Sequence, residues 1–515
     1  MAILFAATVY HCFFAGLSSF GLVGPDEPRY ASIAREMARS GDWVTPRLNG
    51  EPWFEKPPLY YWTGAICFRV FSNSEVAARV PGGIFAMLAV LAIWLLAHRI
   101  YGSAVANTAA WILPATVAMT GFAHAAATDM PFAACLALAM TAAAFLLLDE
   151  QPAHRLAWSV VFGVGLGAGV LAKGPAAVLL AGGSVALWAI ASGNILRSFR
   201  LFHPAALIAF FASALPWYVL CAMRNPGFLR IFLLEHNVER FLTNRYQHQQ
   251  PFWFFVPVIL LSVFPWTLLL VPTIRDGWRA LKTQDWRQSP GVYLAAWVIF
   301  PFVFFSASQS KLPGYILPAV APLLLLLART MSGDPDASAR SRLVWPAATL
   351  VALGVALLVT ASRSPGTFGP GHEALPGLAP ALQALGATLC FGCAAIGPKR
   401  AGTSTLGAGL AACVFALAVG IAANHLLKLY DPYLSPRSFA LKVAQRVGSA
   451  DVAAYDLPRA WQFGCEFYLQ RPLTSWLPDE RSGWVITPMS REPIGPARLE
   501  VPTVTSPRAV LLRVE

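Results

Sequence analysis

From residue 80 to residue 424 one apolar run follows another, most of them long enough to cross a bilayer. Nothing constrains this chain more. A backbone in hydrocarbon finds no water to bond, so such runs fold as helices that satisfy their own peptide groups. We read about thirteen spans, at 2–22, 80–98, 104–122, 131–148, 157–171, 174–192, 204–222, 252–272, 291–306, 313–328, 343–361, 378–396 and 405–424. With 57% hydrophobic and 12% charged residues in 515, the chain is an all-α polytopic membrane protein with no large soluble core. The net charge of +12 lies mainly in short loops, which is the signature of topology and excludes nucleic acid as the partner.

If the N-terminus is cytoplasmic, the inner loops hold Arg99, Arg155, Arg197, Arg200, Arg275, Arg279 and further basic residues, and the short outer loops hold Lys173, Lys311 and Arg363. That bias supports the orientation. It gathers Asp26, Glu55, Lys56, Asp129, Lys173, Glu235, Arg240 and Lys311 near the outer side, although none of them served to assign it. A carboxylate at the membrane boundary is costly unless it is paired or hydrated, which makes each a functional candidate.

The first outer loop, 23–79, is the densest of these regions. Asp26 and Glu27 stand where a helix N-cap belongs, and Pro28 suits a first turn. Tyr30, Ile33, Ala34, Met37 and Ala38 recur at helical spacing until Ser40-Gly41. Arg29, Arg35, Glu36 and Arg39 fall on the other face, predicting an amphipathic helix lying in the headgroup region. Asn49-Gly50 predicts a turn, and Pro57-Pro58 open a second, aromatic helix from Leu59 to Phe71, with Glu55 and Lys56 at its start.

DEPRYASIAREMARSGDW followed by FEKPP resembles the first outer loop of the bacterial aminoarabinose transferases of lipid A modification, within the membrane-embedded GT-C glycosyltransferases related to protein O-mannosyltransferases. TDMPF at 128–132, AKGP at 172–175, LEHNVERF at 234–241, QHQQPFWFFVPV at 247–258 and SKLPGYILP at 310–318 follow in the family's order. The resemblance implies a GT-C fold in the bacterial inner membrane, with its site facing the periplasm. It implies transfer of a sugar from a polyprenyl-phosphate donor to a lipid acceptor such as lipid A, with no cofactor required. The catalytic candidates are Asp26, Glu55, Lys56 and Asp129; the substrate-binding candidates are Glu27, Arg29, Tyr30, Lys173, Arg240, Arg245, Lys311 and Tyr315. It also suggests a structural divalent ion such as zinc on Glu55 and His236, although a structural zinc normally takes four ligands.

The chemistry fits those residue types. A lipid-linked sugar keeps its tail in the bilayer while its phosphate meets cations and its sugar meets carboxylates. Lys56, Arg240 or Arg245 would stabilise the leaving phosphate, and Asp26 would act as base or hold a substrate. Blander readings stay open: a cap for Asp26 or Asp129, a local ion pair for Glu55 and Lys56, a snorkelling Lys173, and a solvated helix for the loop from Arg224 to Pro251. Transfer to a polypeptide and transport of a lipid or polysaccharide are the competing functions. Transport predicts charges near the midplane on broken helices in repeated halves, which the sequence lacks.

Residues 1–424 read as the transmembrane transferase domain. From 425 to 515 hydropathy falls, and a helix near 436–447 with strands at 451–455, 484–487 and 509–513 predicts a small outer α/β domain. The glycines at 163, 165, 167 and 169 lie within a span and predict close helix packing, not a nucleotide loop.

Overall fold

The computed structural model describes residues 1–72, 74–232, 250–332, 339–363, 377–396, 404–477, 483–489 and 500–514. Among them, seven helices are long and apolar enough to cross a membrane, or nine when two bent pairs are each one span, and four shorter apolar helices accompany them. Together these fall on the thirteen expected runs, of which length and apolarity alone qualify seven to nine as crossings.

The first helix, α1 (Ala2–Phe13), stops well before residue 22. The next dozen residues are turns and irregular chain, in which Gly16 adopts φ +78° and an added Cβ there would lie 2.7 Å from that of Ala423. α2 (Asp26–Ser40) follows, ended as expected by Gly41 in the left-handed conformation. Arg47–Leu48 (β1) and Glu51–Pro52 (β2) form a small hairpin across Asn49 and Gly50, both at positive φ, which is what an Asn-Gly turn supplies. α3 (Leu59–Val70) starts after the two prolines.

α4 (Ser74–Tyr101) begins earlier than the apolar run suggested and carries Arg79 inside the protein. The 104–122 run divides into α5 (Ser103–Ile112) and α6 (Val117–Ala123), bent by 60°, with Pro114 in the break. The 252–272 run is bent by 112° between Phe255–Ser262 and Thr267–Ala280, with Pro265 in the break; proline has no N–H to continue a helix.

α7 (Asp129–Leu147) is the most enclosed long helix, packed between α4 and α8 (Arg155–Lys173). The α8 glycines do what their spacing predicted. A Cβ on Gly163 would lie 2.2 Å from the Ala206 carbonyl, and one on Gly167 would lie 2.0 Å from Ser213 Oγ, so helix 204–224 approaches to backbone contact. α9 (Ala176–Ser192) completes this side.

The last apolar helix runs from Thr405 to Leu434, beyond the fall in hydropathy at 425. The tail then forms a five-stranded sheet of Val452–Ala454 (β3), Thr474–Ser475 (β4), Gly483–Pro488 (β5), Glu500–Thr505 (β6) and Ala509–Val514 (β7), in the order β4-β3-β5-β7-β6. β3 pairs in parallel with β4 and β5, and β7 pairs antiparallel with β5 and β6. The expected helix appears at Arg437–Val447. A second helix, Arg459–Leu469, was not legible in the sequence.

Candidate functional site

On the polar face expected of α2, Arg29 is buried, Arg35 and Glu36 are half-buried and Arg39 is exposed. Glu27, Pro28, Arg29 and Tyr30 are all buried, where the first turn of α2 packs with α3, α4 and the tail helix 459–469. Asp26 is the first residue of the helix with no side-chain cap. Its carboxylate instead meets Arg29 at 2.5 Å, and Arg29 also reaches Glu55 at 3.0 Å. Lys56 lies 4.0 Å from Glu55. One buried guanidinium thus joins the acid that opens α2 to the acid that precedes α3.

Burial opposes the Arg29 charge, yet Glu55 and Asp26 more than compensate and hold its pKa above the ordinary arginine value. Burial, reinforced by Glu55 and Asp26, pushes the Tyr30 and Tyr61 phenols well above 10, so both are neutral donors at physiological pH. Tyr61 Oη, Arg29 Nε and Trp53 Nε1 are buried with no hydrogen-bond partner among the described residues. Three such donors around one ion cluster suit a ligand rich in oxygen acceptors.

A second cluster stands at the ends of α7 and α8. Lys173 closes on Asp129 at 2.6 Å, with its ammonium 5.1 Å from the Tyr315 ring and 5.4 Å from the Phe132 ring. Gly314 is essential to that arrangement, since a Cβ there would stand 2.4 Å from Asp129 Oδ1. An aromatic cluster links the two ion groups. Phe54, next to Glu55, packs with Phe228, Trp217 and Leu171, two residues before Lys173.

Two expected ligand groups are engaged elsewhere. Glu27 was expected beside substrate, but it meets Arg79 at 2.7 Å and 3.2 Å and accepts the backbone N–H groups of Val23 and Ala126. Its lone pairs are filled by the fold. Lys311 is buried and donates to the carbonyls of Ser308 and Gln250, holding the turn that leads to Tyr315. Arg240, Arg245 and His236 lie outside the described residues. No group of three or more metal-ligating side chains occurs among the described residues, which do not include His236 of the expected Glu55–His236 pair.

Sequence reasoning missed Arg79, Trp53, Tyr61 and the tail helix. Arg79 had a signal, since an arginine at the edge of an apolar run needs a buried partner; the span was started one residue too late to include it. An apolar groove of about 1050 Å³ between α1, α4 and α5 contains none of the charged site residues. Chemistry and not volume marks the site.

Residues 55–218 match the family model described as dolichyl-phosphate-mannose-protein mannosyltransferase. Over 307 residues the chain is 33% identical to an undecaprenyl phosphate-alpha-4-amino-4-deoxy-L-arabinose arabinosyl transferase of Edwardsiella ictaluri, covering 59% of this chain and 54% of that protein. A transferase of the same name from Pseudomonas aeruginosa is 33% identical over 317 residues, 61% of this chain and 56% of its own. The chain spans little more than half the length of these curated relatives. The crystal structure of ArnT from Cupriavidus metallidurans bound to undecaprenyl phosphate superposes with a TM-score of 0.84, covering 99% of this chain and 97% of that one at 23% identity. The fold is therefore shared with that crystal structure, and the resemblance to the aminoarabinose transferases read from the sequence holds.

Proposed function

We propose that this chain, a homologue of the aminoarabinose transferases, moves 4-amino-4-deoxy-L-arabinose from undecaprenyl phosphate to lipid A at the periplasmic face of the inner membrane. The observation that carries this reading is the Asp26–Arg29–Glu55 ion cluster, built on the buried Arg29, beside Lys56. Such a cluster offers both charges that a lipid-phosphate amino sugar needs: carboxylates for the sugar's amine and hydroxyls, and a cation for its phosphate.

The reaction balances as a single displacement. An acceptor phosphate oxygen attacks the anomeric carbon, the bond from that carbon to the donor's phosphate oxygen breaks, and undecaprenyl phosphate leaves with the electron pair. Lys56 meets the charge that grows on the leaving phosphate. Asp26, 49% exposed at its side chain, holds acceptor or donor, and an acceptor already ionised at neutral pH needs no base. Lys173, paired with Asp129, supplies a second cation near Tyr315. No step uses a metal.

The test incubates purified protein with undecaprenyl-phosphate aminoarabinose and lipid A, and reads lipid A mass and released undecaprenyl phosphate. One pentosamine added per released phosphate is the expected result. Because residues 55–218 match a protein mannosyltransferase model, a polyprenyl-phosphate mannose donor with a peptide acceptor forms the second arm. Mannosyl-peptide in place of modified lipid A overturns the proposal.

A further inference from the structure

The tail helix Arg459–Leu469 reaches the ion cluster with aromatic rings. Phe467 is 1% exposed and belongs to the same core as Tyr30, Ile33, Met37, Tyr60 and Tyr61 of α2 and α3. Arg35 donates to the Phe467 carbonyl at 3.0 Å while its guanidinium lies 4.2 Å from the Phe467 ring. One turn earlier, Phe463 packs on that core with its ring 5.6 Å from the Arg29 guanidinium. Tyr30 at 5.1 Å and Trp53 at 5.6 Å supply the other rings around the same cation.

The helix is held in place independently of Phe463. Tyr468 Oη donates to Glu75 at 3.0 Å and accepts the Leu22 N–H at 2.8 Å. Asn49 donates to Glu466 at 3.1 Å, and Arg39 to Gln470 at 2.8 Å. Behind it, Asp431 accepts the Gly21 N–H at 2.7 Å and pairs with Arg437 at 2.7 Å. Bonds on both sides of Phe463 thus dock the tail onto the chain that leads into Asp26.

We propose that Phe463, supplied by the C-terminal domain, is a positioning residue for sugar transfer: its ring completes the enclosure of Arg29 and so fixes Asp26 and Glu55, the two carboxylates that Arg29 joins. This rests on the function proposed above. A guanidinium is a rigid fork, so the two acids can be no better placed than the fork between them. Three ring faces attract the cation and exclude water from it, which strengthens its pairing with both acids. Removing one face admits water and lets the fork tilt. The tail is, on this account, one wall of the site and not an appendage.

The experiment compares full-length wild type, Phe463→Leu and Phe463→Tyr with undecaprenyl-phosphate aminoarabinose and lipid A. The leucine fills much of the volume without a ring face; the tyrosine keeps the ring. Phe463→Leu is expected to lose about 5- to 30-fold in kcat/KM, mainly in kcat, the size of one desolvated cation–ring contact. Phe463→Tyr is expected to stay within about 2-fold of wild type, since it retains that contact. All three should melt alike in detergent, and hydrogen exchange of the segment around Arg29 should quicken only in the leucine variant. Wild-type kinetics in Phe463→Leu, equal losses in the leucine and tyrosine variants, or a rate loss that follows lost folded protein overturns the inference. If wild type transfers no sugar, the functional reading fails instead. The exchange comparison still decides whether the ring holds Arg29, and identical exchange in all three proteins overturns that.

Discussion

Replacing Arg79 by methionine tests whether the stretch that leads into Asp26 depends on one buried cation. Arg79 is fully buried. Its guanidinium donates to the carbonyls of Leu17, Phe20 and Gly21 at 2.7, 2.9 and 2.8 Å, and to both oxygens of Glu27 at 3.2 and 2.7 Å, with the Phe20 ring 4.1 Å away. Those carbonyls belong to the irregular stretch between α1 and Asp26, which has no helix of its own to satisfy them. Methionine fills the volume but leaves a buried carboxylate with two backbone donors and three carbonyls without their partner. Breaking a buried ion pair by removing one member costs about 3–5 kcal/mol, a large share of the roughly 5–15 kcal/mol that holds a protein folded. The expected outcome is a marked fall in melting temperature, read by size-exclusion chromatography after heating in detergent, with little folded protein recovered. Arg79→Lys should recover only part of the stability, since one ammonium has three donors where the site uses a five-donor fork. Glu27→Gln retains an acceptor for Arg79 and should be milder, with kcat/KM per folded molecule close to wild type. A methionine variant that melts with wild type would refute the reasoning.

Asp26→Asn is expected to abolish or severely lower transfer while inserting and melting normally; undiminished turnover would reduce Asp26 to a partner of Arg29. Lys56→Ala should lose on the order of 100-fold at saturating lipid donor, as for one preorganised contact to a leaving group, and Lys56→Arg should regain only part; normal turnover in the alanine variant would pass the role to Arg240 or Arg245. Lys173→Met removes the 2.6 Å partner of Asp129 and should lower kcat/KM by about 10- to 100-fold, the range for one charged hydrogen bond; initial rates with folded protein quantified in parallel decide it. Elemental analysis is expected to find no stoichiometric zinc, because Glu55 faces Arg29 at 3.0 Å; one zinc per chain would revive the Glu55–His236 ligand pair.

Long apolar runs gave the helical membrane architecture without reference to any neighbour, because a helix satisfies its own backbone and hydrocarbon allows little else. The same locality made the Asn49-Gly50 turn, the Gly41 stop of α2, the start of α3 after Pro57-Pro58 and the close packing of the α8 glycines legible. Acids and bases at helix ends were legible as candidates for a similar reason: charge beside a membrane needs a partner, and Asp26, Glu55, Asp129 and Lys173 stood out before any partner was known. Which partner each took was not a local question. Arg29 fell on the polar face by periodicity, and only the packing of Trp53 and the tail helix 459–469 around it enclosed that one side chain. Glu27 and Asp26 are neighbours with the same chemistry, yet one is closed around Arg79, 52 residues away in sequence, and the other is half exposed at the site. Helical rotation between adjacent residues, about 100° at 3.6 residues per turn, separates their directions, and tertiary contacts alone decide what stands in each. Phe463 shows the limit most plainly. An aromatic residue in a polar tail carries no local sign of purpose, and its place beside Arg29 exists only because distant segments of the chain meet there.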